Sequence, residues 1–435
     1  MLALPILVGQ LGSIATGFVD NVMVGRYSTE ALASASFCNN VFNVAVLCCV
    51  GFTMGITPLV AAMHARGDSA GTGALMRGAA RLNSVFCGVV MVLMAVVYAL
   101  LPHLGQPAEL LPLIRPYFLI SLAGLLPLTL FNVFEQWSFG VGNTMAPMWI
   151  ILGGNLLNVL GNWLLIYGIG PFPELGLTGA GISTFLSRLV IAAAMAEYFR
   201  RRAGSACLDG YRRSRPDAGR RRKLFTTSLP VALQMSFETA AFSGAAVLCG
   251  LLGTVPLAAF QVIVVTGTLG FCLYYSLGAA VAIRVANAAG TGSTRLMRSR
   301  AWRGYLLMLL LMCCSSSVFL FGGSTIMSAF TDDPRVLTTA TTLIFPLVLY
   351  QLGDATQINF ANALRGTSRV MPMLWIAFVS YICLGLPSSW LLAFTAGLGI
   401  YGIVLSFSVS LFTAGALFLT FFLRATRPIP AKNDK

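Results

Sequence analysis

Twelve stretches of this chain are long and apolar enough to cross a lipid bilayer, at roughly 3–25, 31–62, 80–101, 111–139, 145–168, 177–199, 224–251, 256–288, 301–326, 336–364, 370–392 and 397–423. A membrane helix needs about 20 predominantly apolar residues. In hydrocarbon every backbone N–H and C=O must be satisfied within the protein, so a spanning segment is either a helix or a strand of a closed barrel. Barrel strands are shorter and alternate apolar with polar residues; these runs are unbroken and rich in Leu, Val and Ala. Segment one has no basic leader and no small-residue cleavage site, and it carries Asp20, so it reads as a retained helix. Composition agrees. Of 435 residues, 57% are hydrophobic and 10% charged, where a soluble domain is about a quarter charged. Mean hydropathy is +0.82. The expected fold class is an all-α integral membrane protein with twelve transmembrane helices.

The net charge of +14 could suggest a nucleic-acid partner, but the basic residues lie between apolar runs rather than along one soluble face. Membrane topology accounts for them. With the N-terminus cytoplasmic, Arg66, Arg77 and Arg81 fall inside, as do the run from Arg200 to Lys223, the group Arg284, Arg295, Arg298, Arg300 and Arg303, then Arg365 and Arg369, and finally Arg424, Arg427, Lys432 and Lys435. Only Arg26, Arg115, Arg188 and Arg335 fall elsewhere, which leaves 24 of 28 on one side, a positive-inside pattern. Both termini are therefore expected in the cytoplasm, with a bacterial cytoplasmic (inner) membrane as the location.

Residues 200–223 are the only long polar connection, and they split the chain near its midpoint. Their charge could meet anionic lipid; topology and linkage are the simpler reading. The expected division is an N-lobe over 1–199, a basic cytoplasmic linker over 200–223, and a C-lobe over 224–435 with a short tail. The lobes repeat. Leu4–Pro5 and Leu229–Pro230, Gly25 and Gly250, Thr29 and Thr254, and Ala33 and Ala258 all keep an offset of 225. The stretch Gly142–Pro147 matches Gly366–Pro372 within one gap, and Gly176–Gly181 matches Gly397–Gly402. Six helices per lobe is an even number, so both lobes run the same way through the membrane. They are expected to be related by a pseudo-two-fold axis along the membrane normal, around a central cleft.

Only fourteen acids exist, and Asp20, Glu135, Glu238 and Asp354 fall inside apolar runs. An acid at the centre of a bilayer costs about 2.5–3.5 kcal/mol on insertion scales, so it is expected to face a cavity and to act there. Glu135 is the weakest of the four, lying near a helix end. Tyr350, Asp354 and Gln357 share one helical face, with Gln351 beside them; Gln234 and Glu238 are four apart; Ser13, Thr16 and Asp20 share another face, and Asn155, Asn158 and Asn162 a third. Gln261 is a further amide within an apolar run. Such amides serve either a cavity or hydrogen bonds between helices. The acids are not symmetric: Asp20 aligns with Ala245, and Glu238 with Ser13. A carboxylate can carry a proton or hold sodium together with hydroxyl and carbonyl oxygens. Pro58, Pro127, Pro147, Pro346, Pro372 and Pro387 are expected to kink or hinge their helices. The ten cysteines form no CxxC, and the only histidines are His64 and His103, so a metal cluster is not expected. No GxxxxGK[ST] loop is present, so active transport would run on an ion gradient. No cofactor is expected.

The chain resembles the multidrug and toxic compound extrusion (MATE) family, its NorM-like branch in particular. The resemblance rests on LPILVGQLGSIATGFVDNVMVG at the start, NLLNVLGNWLLIYG and PELGLTGAGIST in the first half, and LPVALQMSFETAAF, AIRVANAAGTGS and YQLGDATQINFANALRG in the second. It implies two six-helix lobes around a central cavity, a monomer, and efflux of cationic and amphipathic compounds in exchange for sodium ions or protons. Asp20 looks like the first-helix acid of the N-lobe, Glu238 like the seventh-helix acid, and Asp354 with Tyr350 like the tenth-helix cation site. These four are the candidate coupling residues, with sodium at Glu238, Asp354 and Tyr350 as one option. Gln234, Gln261, Gln351, Gln357, Asn155, Asn158 and Asn162 are candidates to line the substrate cavity. Asn162 stands where the DinF-like branch has aspartate, which moves the expected cation site toward the C-lobe. The family usually has residues before helix one, whereas Met1 stands almost at its start; a start upstream is one explanation.

The expected function is a secondary antiporter, not an enzyme, with organic cations and membrane lipids as partners and no nucleic acid. The alternative is a flippase for lipid-linked sugars, which shares the two-lobe plan but would favour cationic residues in its cavity. A membrane prenyltransferase would need an acid cluster at the membrane face, and Asp332–Asp333, before Pro334, reads as a turn.

Overall fold

The structure, a computed structural model, describes residues 2–103, 107–215, 217–331 and 333–427. Met1, Asp332, Lys432 and Lys435 lie outside the described residues. Among those described there is no strand. Eleven helices are long and apolar enough to cross a membrane: α1 Ala3–Tyr27, α2 Thr29–Ala65, α3 Ser69–His103, α4 Leu111–Gly140, α5 Met145–Tyr167, α6 Gly176–Arg202, α7 Ala218–Leu252, α8 Thr254–Gly290, α9 Thr294–Ser328, α11 Met371–Thr395 and α12 Gly399–Ala425. The twelfth, α10, is the pair Pro334–Thr342 and Ile344–Gly366, bent by 48° where they meet. Each of the twelve apolar runs is thus a helix.

The boundaries differ most at the basic ends. The starts of α3, α7 and α9 lie at Ser69, Ala218 and Thr294, ahead of the apolar runs that open near 80, 224 and 301. The added turns carry Arg77, Arg220 to Arg222, Arg298 and Arg300. Arginine is a good helix former, so the backbone stays helical where hydropathy has already fallen. Asp68 and Ser293 set two of these starts: their side chains accept hydrogen bonds from the backbone N–H of Gly71 (2.7 Å) and Leu296 (3.3 Å).

Four prolines account for most of the irregularities inside the spans; a second π-helical stretch of α11, Leu391–Thr395, has no proline behind it. A proline removes its own N–H and crowds the carbonyl four residues earlier. The residues four before Pro58, Pro127 and Pro346 are Met54, Ala123 and Thr342, and α2, α4 and α10 each break there. Four before Pro387 is Cys383, which lies in a π-helical stretch, Phe378–Gly385, of α11. Pro147 and Pro372, expected to kink, instead sit in the first turns of α5 and α11, where the missing N–H has no intrahelical partner to lose.

The chain divides into two compact units, Met1–Ala232 and Leu233–Lys435, the division falling inside α7. In the first unit the breaks in α2 and α4 serve two separate cores. Before the breaks, Phe42 and Phe118 pack with Cys87 and Met94 of α3; after them, Leu59, Phe134 and Trp137 pack with Met76 of α3 and Phe199 of α6. In the second unit Tyr274, Met308, Met312, Ala355 and Ile358 bring α8, α9 and α10 together. The surface inverts the soluble pattern: Val92, Leu306, Leu310 and Phe321 are exposed, as suits a lipid-facing exterior.

Residues 200–223 are not an extended connection. They contain a helix, Ser205–Arg213, that packs on α3. The approach is close because glycines stand at the crossing: a Cβ on Gly73 would lie 1.8 Å from the Cys207 carbonyl oxygen, and one on Gly210 would lie 2.2 Å from that of Ala70. Arg77 then clasps the segment, its guanidinium donating to the carbonyls of Arg212 (2.6 Å) and Ser214 (3.0 Å). Gly73→Val should therefore lower stability by about 1–3 kcal/mol. Gly78→Ala, where a Cβ meets nothing within 4 Å, should be neutral or mildly stabilising. Thermal unfolding of the two purified variants checks both.

Candidate functional site

In the second unit the polar stripe of α10 is buried between neighbouring helices rather than open to solvent. Tyr350, Gln351, Asp354 and Gln357 are all buried. Small residues on α8 make room for them. A Cβ at Gly267 would sit 2.3 Å from the Tyr350 hydroxyl, and one at Gly270 would sit 3.0 Å from the Gln351 amide. Gln351 Nε2 donates to the Gly267 carbonyl at 3.5 Å. On the other side, Gly353 of α10 packs against Leu411 and Phe412 of α12.

Asp354 is 7% exposed, and among the described residues no group donates a hydrogen bond to it. It lies within electrostatic range of Glu238 on α7. Three phenols also sense it: Tyr350, Tyr274 of α8 and Tyr381 of α11. Tyr274 shares a 2.5 Å hydrogen bond with Ser315 of α9. The Tyr381 hydroxyl, on the π-helical stretch of α11, is 2% exposed and has no partner among the described residues. Glu238 is better provided for: Gln234 Nε2 donates to its Oε2 at 3.3 Å, and Arg365 offsets its charge. Arg365, placed by the sequence among the cytoplasmic loop cations, is a buried residue of α10. The cluster thus holds two acids, three phenols and one arginine, and Asp354 is the acid with no cation and no donor assigned to it. A buried charge of that kind must be neutralised by a proton or a cation.

The first unit treats Asp20 differently. Asn162 Nδ2 donates to Asp20 Oδ1 at 2.5 Å. With the Asn158 amide turned so that its nitrogen faces the carboxylate, Nδ2 lies 2.9 Å and 3.2 Å from the two Asp20 oxygens, while Oδ1 accepts from the Thr184 hydroxyl (3.1 Å) and N–H (3.3 Å). Asn155, one turn earlier on α5, lies against Gly12 of α1 and does not reach the acid. Arg188 of α6, whose guanidinium lies over Gly124 of α4, offsets the Asp20 charge. Two members of the expected α1 stripe are spent locally: Ser13 and Thr16 donate back to the carbonyls of Gly9 (3.1 Å) and Gly12 (2.9 Å). Of the other candidates, Gln261 is exposed and Glu135 half-buried.

Sequence reasoning missed Tyr274, Tyr381 and the burial of Arg365. Tyr274 had a signal: Gly267, Gly270, Tyr274 and Gly278 stand at i, i+3, i+7 and i+11 on one face of α8. Nothing in the local sequence marks Tyr381. Among the described residues no three His, Cys, Asp or Glu side chains group as a metal site, and any ion here would rely on carboxylate, phenol and amide oxygens.

The family model described as MatE matches residues 5–164 and 230–391, once in each half of the chain, at the offset of the internal repeat. Solved structures of the same fold include a multidrug resistance MATE family transporter of the MOP superfamily in an outward-facing conformation, with a TM-score of 0.88 and 17% identity over 98% of this chain and 94% of the other. A MOP superfamily transporter from Pyrococcus furiosus Vc1, described as having a binding pocket of reverse polarity that suggests a different function, is similar at a TM-score of 0.88 and 16% identity, over 98% and 94% of the two chains. A MATE protein in complex with MaL6 is similar at a TM-score of 0.88 and 17% identity, over 98% and 95%.

The Asp20 hydrogen bonds can be tested alone. Asn162→Ala should cost about 1–2 kcal/mol, because it leaves the half-buried Asp20 carboxylate short of a donor. In an Asp20→Asn background the same change should cost less. A double-mutant cycle on thermal unfolding measures the difference.

Proposed function

This chain belongs to the MATE family, and from that premise we propose that it is a secondary active antiporter that exports organic cations and amphipathic compounds in exchange for sodium ions or protons. The helices α1–α6 and α7–α12 act as two lobes that alternately open to each side of the cytoplasmic membrane, with both termini in the cytoplasm. The observation that carries this reading is Asp354: a buried acid beside a second acid, Glu238, without a fixed positive partner. Such a pair stays in hydrocarbon only while it holds a proton or a cation. Exchanging that neutralising ion for a cationic substrate couples the two fluxes, because only one of them satisfies the site at a time.

The coupling site consists of Glu238 and Asp354, with Tyr350 and Tyr381 as oxygen ligands or proton partners. Asp20, already served by two amides and offset by Arg188, contributes to substrate binding or to a proton relay in the first lobe. Gln234, Gln351 and Gln357 belong to the C-lobe cavity, and Asn155, Asn158 and Asn162 to the N-lobe.

The test is efflux of a fluorescent organic cation from proteoliposomes with sodium and pH gradients imposed separately. Wild-type protein should transport against a gradient with at least one of the two ions. Asp354→Asn, which keeps shape and removes the ionisable group, should abolish gradient-driven efflux while the protein stays folded, and Glu238→Gln should do nearly the same. Asp20→Asn should only weaken it. Transport by Asp354→Asn at the wild-type rate, with unchanged ion dependence, would refute the assignment. Tyr381→Phe deletes one hydroxyl and should raise the ion concentration needed for half-maximal transport about tenfold or more, the worth of one hydrogen bond to a charged group.

A further inference from the structure

On the first unit, the linker segment that folds back on α3 borders an open cavity of about 290 Å³. Five arginines line it: Arg77 and Arg81 from α3, Arg215 from the linker, and Arg220 and Arg221 from the start of α7. The only acid on its wall is Asp217, which lies 3.6 Å from Arg220. Three of the five, Arg81, Arg215 and Arg221, are exposed, so solvent screens their repulsion, and the excess of positive charge makes the cavity attractive to an anion. The backbone that carries the cluster is held in place. The helix Ser205–Arg213 is seated on α3 through Gly73 and Gly210, and the Arg77 clasp on the Arg212 and Ser214 carbonyls fixes the chain immediately before Arg215.

The remaining wall is apolar and continues in one direction. Leu75, Leu82 and Val85 of α3 and Leu224 of α7 supply most of it. Beyond them Val89, Val92 and Val96 follow Val85 at helical spacing on the same face, and all four valines are 53–66% exposed. From Arg81 to Val96 the helix rises about 22 Å, comparable with the length of a phospholipid acyl chain. Guanidinium groups match phosphate oxygens through paired N–H donors. Together these features describe a receptor for an amphipathic anion, with its head among arginines and its tail along a valine stripe.

We propose that this cavity binds the phosphate group of an anionic phospholipid, whose acyl chain lies along Val85, Val89, Val92 and Val96 of α3. The proposal is independent of the transport reading, since it uses no residue of the Asp20, Glu238 or Asp354 sites. It also departs from reading residues 200–223 as a link alone.

The experiment uses the full-length protein in neutral detergent, with native mass spectrometry and thermal unfolding as readouts. The probes are dioleoyl phosphatidylglycerol, dioleoyl phosphatidylcholine, and inorganic phosphate without lipid. Phosphatidylglycerol should remain bound and raise the unfolding midpoint, whereas phosphatidylcholine should not. The variant Arg81→Gln/Arg221→Gln should bind phosphatidylglycerol about tenfold or more weakly, having lost two charge-assisted donors. The charge-matched Arg295→Gln/Arg303→Gln should bind it as wild type does. Val89→Asp should weaken phosphatidylglycerol and leave any effect of inorganic phosphate unchanged, which separates a lipid site from a simple anion site. Equal retention of the two lipids would overturn the proposal. So would wild-type phosphatidylglycerol binding by the Arg81/Arg221 variant, or a midpoint shift reproduced in full by inorganic phosphate and insensitive to Val89→Asp. If the Arg81/Arg221 variant does not fold, the Val89→Asp comparison decides alone.

Discussion

A carboxylate surrounded by hydrocarbon and helix has few ways to remain there, and the arrangement of both compact units follows from how each acid meets that constraint. Asp20 is met by protein: two asparagine amides from α5 donate to it, and Arg188 offsets its charge. Glu238 is met in part, by Gln234 and Arg365. Asp354 is buried beside Glu238 with no donor or cation assigned to it among the described residues. The gradation runs from an acid held by amides in the first unit to one without an assigned donor or cation in the second, and the proposed exchange site rests on that difference.

Helix packing follows from the same need. To bring Tyr350, Gln351 and Asp354 into the interior, α10 must lie close to its neighbours, and the glycines of α8 and Gly353 of α10 itself permit that approach. The bend at Thr342–Ile344 and the π-helical stretch of α11 lie in the helices that bear Asp354 and Tyr381. Proline produces both irregularities by one mechanism, the crowded carbonyl four residues upstream. Interrupted helices also leave backbone groups that must find other partners, and interiors that line a cavity tolerate them best.

Outside the apolar runs the balance is reversed: positive charge is plentiful and acids are few. The basic segment 200–223, within the first unit, is ordered by glycine contacts and by the Arg77 clasp. Charges that read as a topology signal when counted along the chain acquire a defined backbone setting once the chain folds back on α3. Topology and a specific anion site are therefore compatible uses of the same arginines, because one depends on their number and the other on their placement.

Much of the molecule was legible in the residues alone. Hydrophobic run length is enough to place twelve helices, because a bilayer admits few other structures. The repeat at an offset of 225 followed from paired residues such as Leu4–Pro5 and Leu229–Pro230. The exceptional acids stood out because so few exist. Helix ends were less legible, since arginine lowers hydropathy without ending a helix. What only the tertiary structure decided is which polar groups meet. Ser13 and Thr16 share a face with Asp20 yet bond their own backbone; Asn162, 142 positions away, reaches the acid instead. Arg365 reads as a loop cation and is buried, and Tyr381 joins Asp354 from a helix whose local pattern carries no sign of it. Helical periodicity assigns a residue to a face, but the partner on the opposing helix depends on packing between distant segments.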